Sequence, residues 1–254
     1  MEKIIYLDNF NMQEIKNAGF DGFFVKYESK QKCEELKAQA DKLGLIFSSI
    51  HAPITKCNYA FFDNSAPFEN LICEILDIAS ALNIPFVITH PNFRPTPPLD
   101  IEKGIPVYGR LFAYAKEKGV TLCVENLEYE NYTRAILDAH FGKEYCGFCW
   151  DTGHNLCYTP SAFYPYPPTY LHLNDNYGSS TPDIPVTDDL HLLPFDGKVD
   201  WQSVIATLKS HNYNGHLTFE LKKNQSPLYS SLTNAEYLKK AHDIAVKIEN
   251  QLNI

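Results

Sequence analysis

Six short apolar runs in this 254-residue chain end at, or just before, a side chain able to hold a metal ion. They read SSIH at His51, VITH at His90, TLCVE at Glu125, GFCWD at Asp151, YLHLND around His172 and LTFE at Glu220. An opening run, KIIYLD, adds Asp8, whose claim is the weakest. Glu125, Asp151, His172 and Glu220 make a mixed oxygen and nitrogen donor set suited to Mn, Zn, Co or Mg, unlike the thiolate sets of structural zinc. Acids at strand ends can instead pair with lysines, but carboxylates gathered from several strands repel one another unless a cation compensates them. A divalent metal ion is therefore the expected cofactor.

Further residues extend the set. His154 lies three residues after Asp151 in DTGHN and reads as another ligand, a donor behind the ligands, or a substrate contact. His51 and His90 each end an apolar run, and Asp189 and His191 alternate in D-L-H so that their side chains can face the same way. Taken singly, each is a structural histidine or a loop acid; taken together, they offer additional metal or substrate-binding positions. Lys26, at the end of a predicted strand, and Arg94, after His90, are candidates for a phosphate or carboxylate on a substrate, with an ion pair as the plainer alternative. Tyr158, Tyr164, Tyr166 and Phe195 fall in loops and either stack on a sugar ring or pack those loops.

Such side chains need a scaffold that brings strand ends together. Runs rich in Val, Ile, Phe and Tyr predict strands at 3–7, 22–27, 45–51, 85–90, 120–125, 146–151, 169–174 and 216–220. Between them lie helical patterns, clearest in QKCEELKAQADKLG, PFENLICEILDIASALNI, GRLFAYAKEKG, DWQSVIATLKSHNYNG and NAEYLKKAHDIAVKIENQ. Gly19, Gly44, Gly119 and Gly215 stand where helix C-caps are expected. From His51 to His90, Glu125, Asp151 and His172 the successive gaps are 39, 35, 26 and 21 residues, about one βα unit each for a barrel averaging roughly 31 residues per unit. The gap from His172 to Glu220 is 48, because a long loop over 176–198 intervenes. This predicts one domain spanning 1–254, a (β/α)₈ TIM barrel with its metal site at the C-terminal face of the strands. Segments 91–100 and 158–168 should also shape the mouth. Alternation places Trp150 opposite Asp151, toward the helices, and turns Cys146 and Cys149 to opposite faces.

Bulk properties exclude little but agree. The net charge is −9 with no long basic run, which argues against nucleic acid as a partner. Seven cysteines, with one close pair at Cys146 and Cys149, read as reduced and mostly buried thiols. No apolar run reaches 18 residues and MEKIIYLDNF lacks a signal-peptide core, so a cytoplasmic protein without a membrane span is expected.

The pieces IHAPI, CVENLE, DTGHN, HLNDN and DDLHLLPFDGKVDW give the chain a resemblance, nearly end to end, to the xylose isomerase-like TIM-barrel superfamily. That group joins sugar isomerases and epimerases with endonuclease IV-type AP endonucleases. The resemblance implies that Glu125, Asp151, His172 and Glu220 are the four metal ligands of the sugar branch, with the two glutamates also its catalytic acid/base pair. It implies a small-molecule carbohydrate substrate and a barrel that often pairs into a homo-oligomer. His51, His90, His154, Asp189 and His191 match the further positions with which endonuclease IV holds three zinc ions, so a multi-zinc phosphodiesterase acting on abasic DNA is the alternative. A barrel that binds sugar or metal without turnover is a third. The DTGHN and HLNDN wording resembles the sugar phosphate isomerase/epimerase group more than the endonucleases. The arginine that ketose 3-epimerases carry six residues after their histidine ligand is Gly178 here.

Overall fold

The computed structural model describes residues 1–94, 98–160, 164–178 and 189–253. Parts of the three loops singled out above, at 95–97, 161–163 and 179–188, lie outside the described residues. Eight parallel strands appear where the sequence predicts them: β1 Lys3–Tyr6, β2 Gly22–Lys26, β3 Ile46–His51, β4 Phe86–Thr89, β5 Thr121–Glu125, β6 Cys146–Asp151, β7 Tyr170–His172 and β8 Leu217–Phe219. They pair in chain order from β1 to β7, with β8 on the free side of β1. A parallel bridge between Leu173 and Phe219, with Leu173 N donating to Thr218 O at 2.8 Å, joins the two outer strands. The result is a single (β/α)₈ TIM barrel.

Helices α1 Met12–Ala18, α2 Lys30–Leu43, α3 Ala66–Ala81, α4 Ile101–Lys118, α5 Glu130–His140, α6 Thr152–Tyr158, α7 Trp201–Ser210 and α8 Asn234–Leu252 fill the intervals. The short α1, α5 and α6 have no counterpart among the clearest sequence patterns. Both α1 and α8 start with capping boxes, Asn11 with Glu14 and Thr233 with Glu236, which satisfy backbone N–H groups that the first turn leaves free. Gly19, Gly44 and Gly119 close their helices in the left-handed region, as expected. Gly215 does not: α7 ends at Ser210, and the left-handed residue after it is Asn212, a side chain that tolerates this conformation.

Strand alternation divides the interior in two. Leu122, Val124, Phe148 and Leu171 join the large apolar core under the helices, with Cys146 and half-buried Trp150, as the period of two requires. Ile88, Cys123, Cys149 and Tyr170 form a separate cluster inside the barrel. All seven cysteines are free and six are buried. No helix among the described residues is long and apolar enough to cross a membrane.

Candidate metal and active site

Parallel strands point their C-terminal ends the same way, so Glu125, Asp151 and His172 leave β5, β6 and β7 on one face, and Glu220 follows β8 directly. Glu125 is the hub. Its Oε2 lies 2.9 Å from His51 Nε2 and 3.5 Å from His90 Nε2, and its Oε1 lies 2.8 Å from His172 Nδ1 and 3.4 Å from His154 Nδ1. Glu220 approaches the same His172 nitrogen at 3.0 Å with Oε2, while its Oε1 pairs with Lys26 Nζ at 3.0 Å. Asp189 Oδ2 sits 2.9 Å from His191 Nε2 and 3.4 Å from His154 Nε2. Every one of the nine predicted ligand positions therefore enters one continuous cluster. Four overlapping groups have ligand atoms within 4.8 Å of one another: His51, Glu125, His172 and Glu220; His90, Glu125 and His154; His154, Asp189 and His191; and Asp151, His191 and Glu220.

Hydrogen bonding tests whether these groups fit a cation. His51 Nδ1 bonds the Ala52 carbonyl at 2.8 Å, His154 Nδ1 the Asn126 carbonyl at 3.0 Å, and His191 Nδ1 the Glu220 carbonyl at 3.0 Å. A carbonyl only accepts, so in each ring Nδ1 carries the proton and Nε2 presents a lone pair. In all three, that Nε2 faces a carboxylate oxygen. Two lone pairs face each other unless the ring takes a second proton or the pair shares a metal ion. Two further buried atoms, His172 Nε2 and Glu220 Oε2, make no hydrogen bond. The residues fit a divalent ion held by imidazole and carboxylate donors.

Without a cation, protons must do the compensating. Burial alone lowers the pKa of a histidine and raises that of a carboxylate. It dominates at His90, pulled down to about 3, and at Asp151, pushed up to about 6. At His172 burial is outweighed by Cys149, Glu125 and Glu220, which carry the imidazole well above its ordinary range. Burial is likewise outweighed at His154, by Asp151 and Asp189. Glu125 is held well below the usual carboxylate range by His172 and His90 against the same burial. Glu220 is held there by Lys26 and His172.

A polar scaffold fixes the candidate ligands. Asp151 caps α6: its Oδ1 accepts from His154 N at 2.7 Å and its Oδ2 from Asn174 Nδ2 at 2.8 Å. The Asn126 amide grips the Asp151 backbone on both sides, donating to its carbonyl at 2.9 Å and accepting from its N–H at 2.7 Å. Asn176 Oδ1 accepts from Leu190 N at 2.5 Å, which ties the Asp189 and His191 loop to the strand end. Gly153 is required here, because a Cβ would lie 1.8 Å from Asn174 Oδ1. Asp175 is fully buried and forms no ion pair among the described residues; it accepts from Asn176, Phe195 and Val199 N–H groups and from Trp201 Nε1, all at 2.8–2.9 Å, and so anchors the DGKVDW turn.

Above the cluster opens a cavity of about 460 Å³, within the usual range of small-ligand sites. Lys26, His51, His90, His154, Asp189, His191 and Glu220 line it, with Glu128, Tyr158 and Lys222. Glu128 and Lys222 were missed by the sequence reading, although each stands within three residues of a predicted ligand. Arg94 is not brought to this cavity: it is exposed, its N–H donates to Glu128 Oε2 at 2.8 Å, and its guanidinium lies 5.1 Å from the Phe93 ring. Asp8 stays outside every ligand group. Of the four loop aromatics only Tyr158 faces the cavity, 5.6 Å from His154. Tyr164 and Tyr166 pack on Phe148 under the helix layer, and Phe195 packs on Trp201.

Comparison with known proteins agrees with this architecture. A sequence profile of the xylose isomerase-like TIM barrel matches residues 12–243. An uncharacterized protein of Sinorhizobium fredii is 28% identical over 70% of this chain, which spans 58% of that protein's length. An inosose isomerase of Halalkalibacterium halodurans is 27% identical over 95% of this chain and 93% of its own. Among solved structures, a xylose isomerase domain protein from Planctomyces limnophilus superposes with a TM-score of 0.77 at 15% identity, covering 100% of this chain and 98% of that one. D-Psicose 3-epimerase from Clostridium cellulolyticum superposes with a TM-score of 0.73 at 14% identity, covering 98% and 99%.

Proposed function

The chain belongs to the xylose isomerase-like TIM-barrel family, and from that footing we propose that it is a divalent-metal-dependent isomerase or epimerase of a sugar or sugar phosphate. One observation carries the reading: two carboxylates from β5 and the end of β8, Glu125 and Glu220, converge on one imidazole at 2.8 and 3.0 Å. A cation held by Glu125, Asp151, His172 and Glu220 would polarise a carbonyl and its neighbouring hydroxyl, lowering the energy of the enediolate formed when the adjacent C–H proton leaves.

The two glutamates then divide the proton work. Both oxygens of Glu125 are engaged by histidines, whereas Glu220 holds Lys26 with one oxygen and leaves the other 3.0 Å from His172 Nδ1 without a hydrogen bond. Glu220 is thus the freer carboxylate to take the proton, and Glu125 the more fixed one to return it. Lys26 steadies Glu220 in its ionised form. The inosose isomerase and the sugar epimerases among the similar proteins support a carbohydrate substrate. The test is a panel of ketoses, inososes and their phosphates incubated with the metal-loaded protein in deuterated water. The expected result is deuterium next to the carbonyl of one substrate, lost in Glu125→Gln and Glu220→Gln; full exchange in both variants overturns the assignment.

A second reading rests on the further groups around His90, His154, Asp189 and His191, which would hold the additional ions that a multi-zinc phosphodiesterase for abasic DNA requires. Elemental analysis of the purified protein separates the two. About one ion per chain fits the sugar reading, and close to three zinc ions with cleavage of an abasic-site duplex fits the other.

A further inference from the structure

Asp8 ends the first apolar run of the chain but joins no ligand group. A second cavity, of about 320 Å³, opens beside the first over the ends of β1 and β2, and Asp8 lines it. Lys26 lines both cavities. Its ammonium pairs with Glu220 at 3.0 Å and lies 5.5 Å from the Tyr6 ring, so the same side chain touches the reacting end of one cavity and an aromatic wall of the other.

The second cavity has the chemistry of a sugar subsite. Its floor is apolar, made by buried Phe10, Val25, Cys33 and Leu36. Its rim carries Asp8, Glu28, Lys32 and Gln39. Among the described residues, none of these four side chains is engaged in a hydrogen bond or ion pair. A pyranose presents C–H groups on its faces and hydroxyls around its edge, which matches an apolar floor ringed by donors and acceptors of both signs. Asp8 also holds a left-handed backbone, at φ +36°, an arrangement that costs free energy and concentrates at functional positions.

Resting on the sugar reading, we infer that the substrate is a glycoside: one ring reacts at the Glu125 and Glu220 cluster, and a second ring lies across Lys26 on the Phe10 and Leu36 floor. The metal cluster therefore acts on one end of a molecule larger than a monosaccharide.

The probes are alcohols that cannot turn over. Metal-loaded protein is titrated calorimetrically with glucitol and with three glucosyl-glucitols that differ in linkage. At least one glucosyl-glucitol is expected to bind about tenfold tighter than glucitol. Gln39→Trp, an exposed helix position that narrows the second cavity, removes that gain and leaves glucitol affinity unchanged. Asp8→Ala reduces the gain from the opposite rim, and circular dichroism establishes that both variants fold. If no glucosyl-glucitol binds tighter than glucitol, or the gain survives in both variants, the inference is overturned while glucitol binding keeps the sugar reading. If glucitol and its glucosides all fail to bind, the inference is overturned, and the deuterium-exchange panel decides the sugar reading separately.

Discussion

The two ends of this barrel bury polar groups by opposite means. At the N-terminal end, the Ser48 hydroxyl bonds Tyr170 Oη at 2.8 Å and His216 Nδ1 at 3.1 Å, under the Phe86 ring. Groups left without a partner there, Ser49 and Thr218, are neutral hydroxyls. At the C-terminal end the buried groups are Glu125, Asp151, Glu220 and the imidazoles around them. An unmatched buried hydroxyl costs about 1–3 kcal/mol, and an unmatched charge costs more. The lower end can thus be stable as it stands, whereas the upper end needs a cation or extra protons. Structure for stability and structure for chemistry are separated along one axis, a few side chains apart.

Breaking the upper end has the largest expected effect. Glu220→Gln should lower turnover in the deuterium-exchange assay by roughly 10²–10⁴-fold, the span usual for loss of a general acid or base. Tyr170→Phe, at the other end, should leave that rate unchanged. If the tyrosine variant loses as much activity as the glutamine variant, the two ends are not functionally distinct.

Metal supply comes next. A divalent ion present at about 100 times its Kd should stabilise the fold by about 2.7 kcal/mol, or about 5–10 °C in melting temperature for a chain of this size. His172→Ala should abolish that shift and Tyr170→Phe should preserve it; a shift that persists without His172 places the ion elsewhere. Tyr170→Phe has its own smaller cost: losing the Ser48 bond should remove about 1 kcal/mol, read as a fall of about 2–4 °C.

Smallest is the pH response of His216. Burial lowers its pKa, opposed by Glu2 and Asp21. The folded protein therefore takes up this proton less readily than the unfolded chain, whose histidine titrates near 6.5. Its contribution is present above pH of about 6.5 and declines as pH falls through the folded pKa. Denaturant midpoints measured at mildly acidic and neutral pH should fall toward acid by less in His216→Gln than in the unaltered protein. An identical pH dependence in both would remove His216 from the account.

Much of the site was legible because strand periodicity is two and the barrel places every strand's C-terminal end on one face. Glu125, Asp151, His172 and Glu220 could be named from the ends of apolar runs, and Trp150, Cys146 and Cys149 took the faces that alternation gave them. The loops were less legible. Arg94 follows a predicted ligand closely, yet the turn at φ +43° leaves it exposed and outside the cavity. Tyr164 and Tyr166 leave a mouth-side loop but turn to the helix layer, where Tyr166 bonds Asp138 and both rings rest on Phe148. Gly215 looked like a cap, and Asn212 holds the left-handed turn instead.

By itself the sequence determined the number and order of the strands, the barrel they close, and the nine side chains that can meet at its mouth, because hydrophobic alternation and ligand spacing are local properties. Tertiary structure alone decided the rest. Which nitrogen of His51, His154 and His191 is free depends on the carbonyls of Ala52, Asn126 and Glu220. How Asp151 is gripped depends on the amides of Asn126 and Asn174. That Lys26 borders two cavities depends on how β1, β2 and β8 pack side by side. These are relations between residues far apart in the chain, and no local pattern encodes the distance or direction between them.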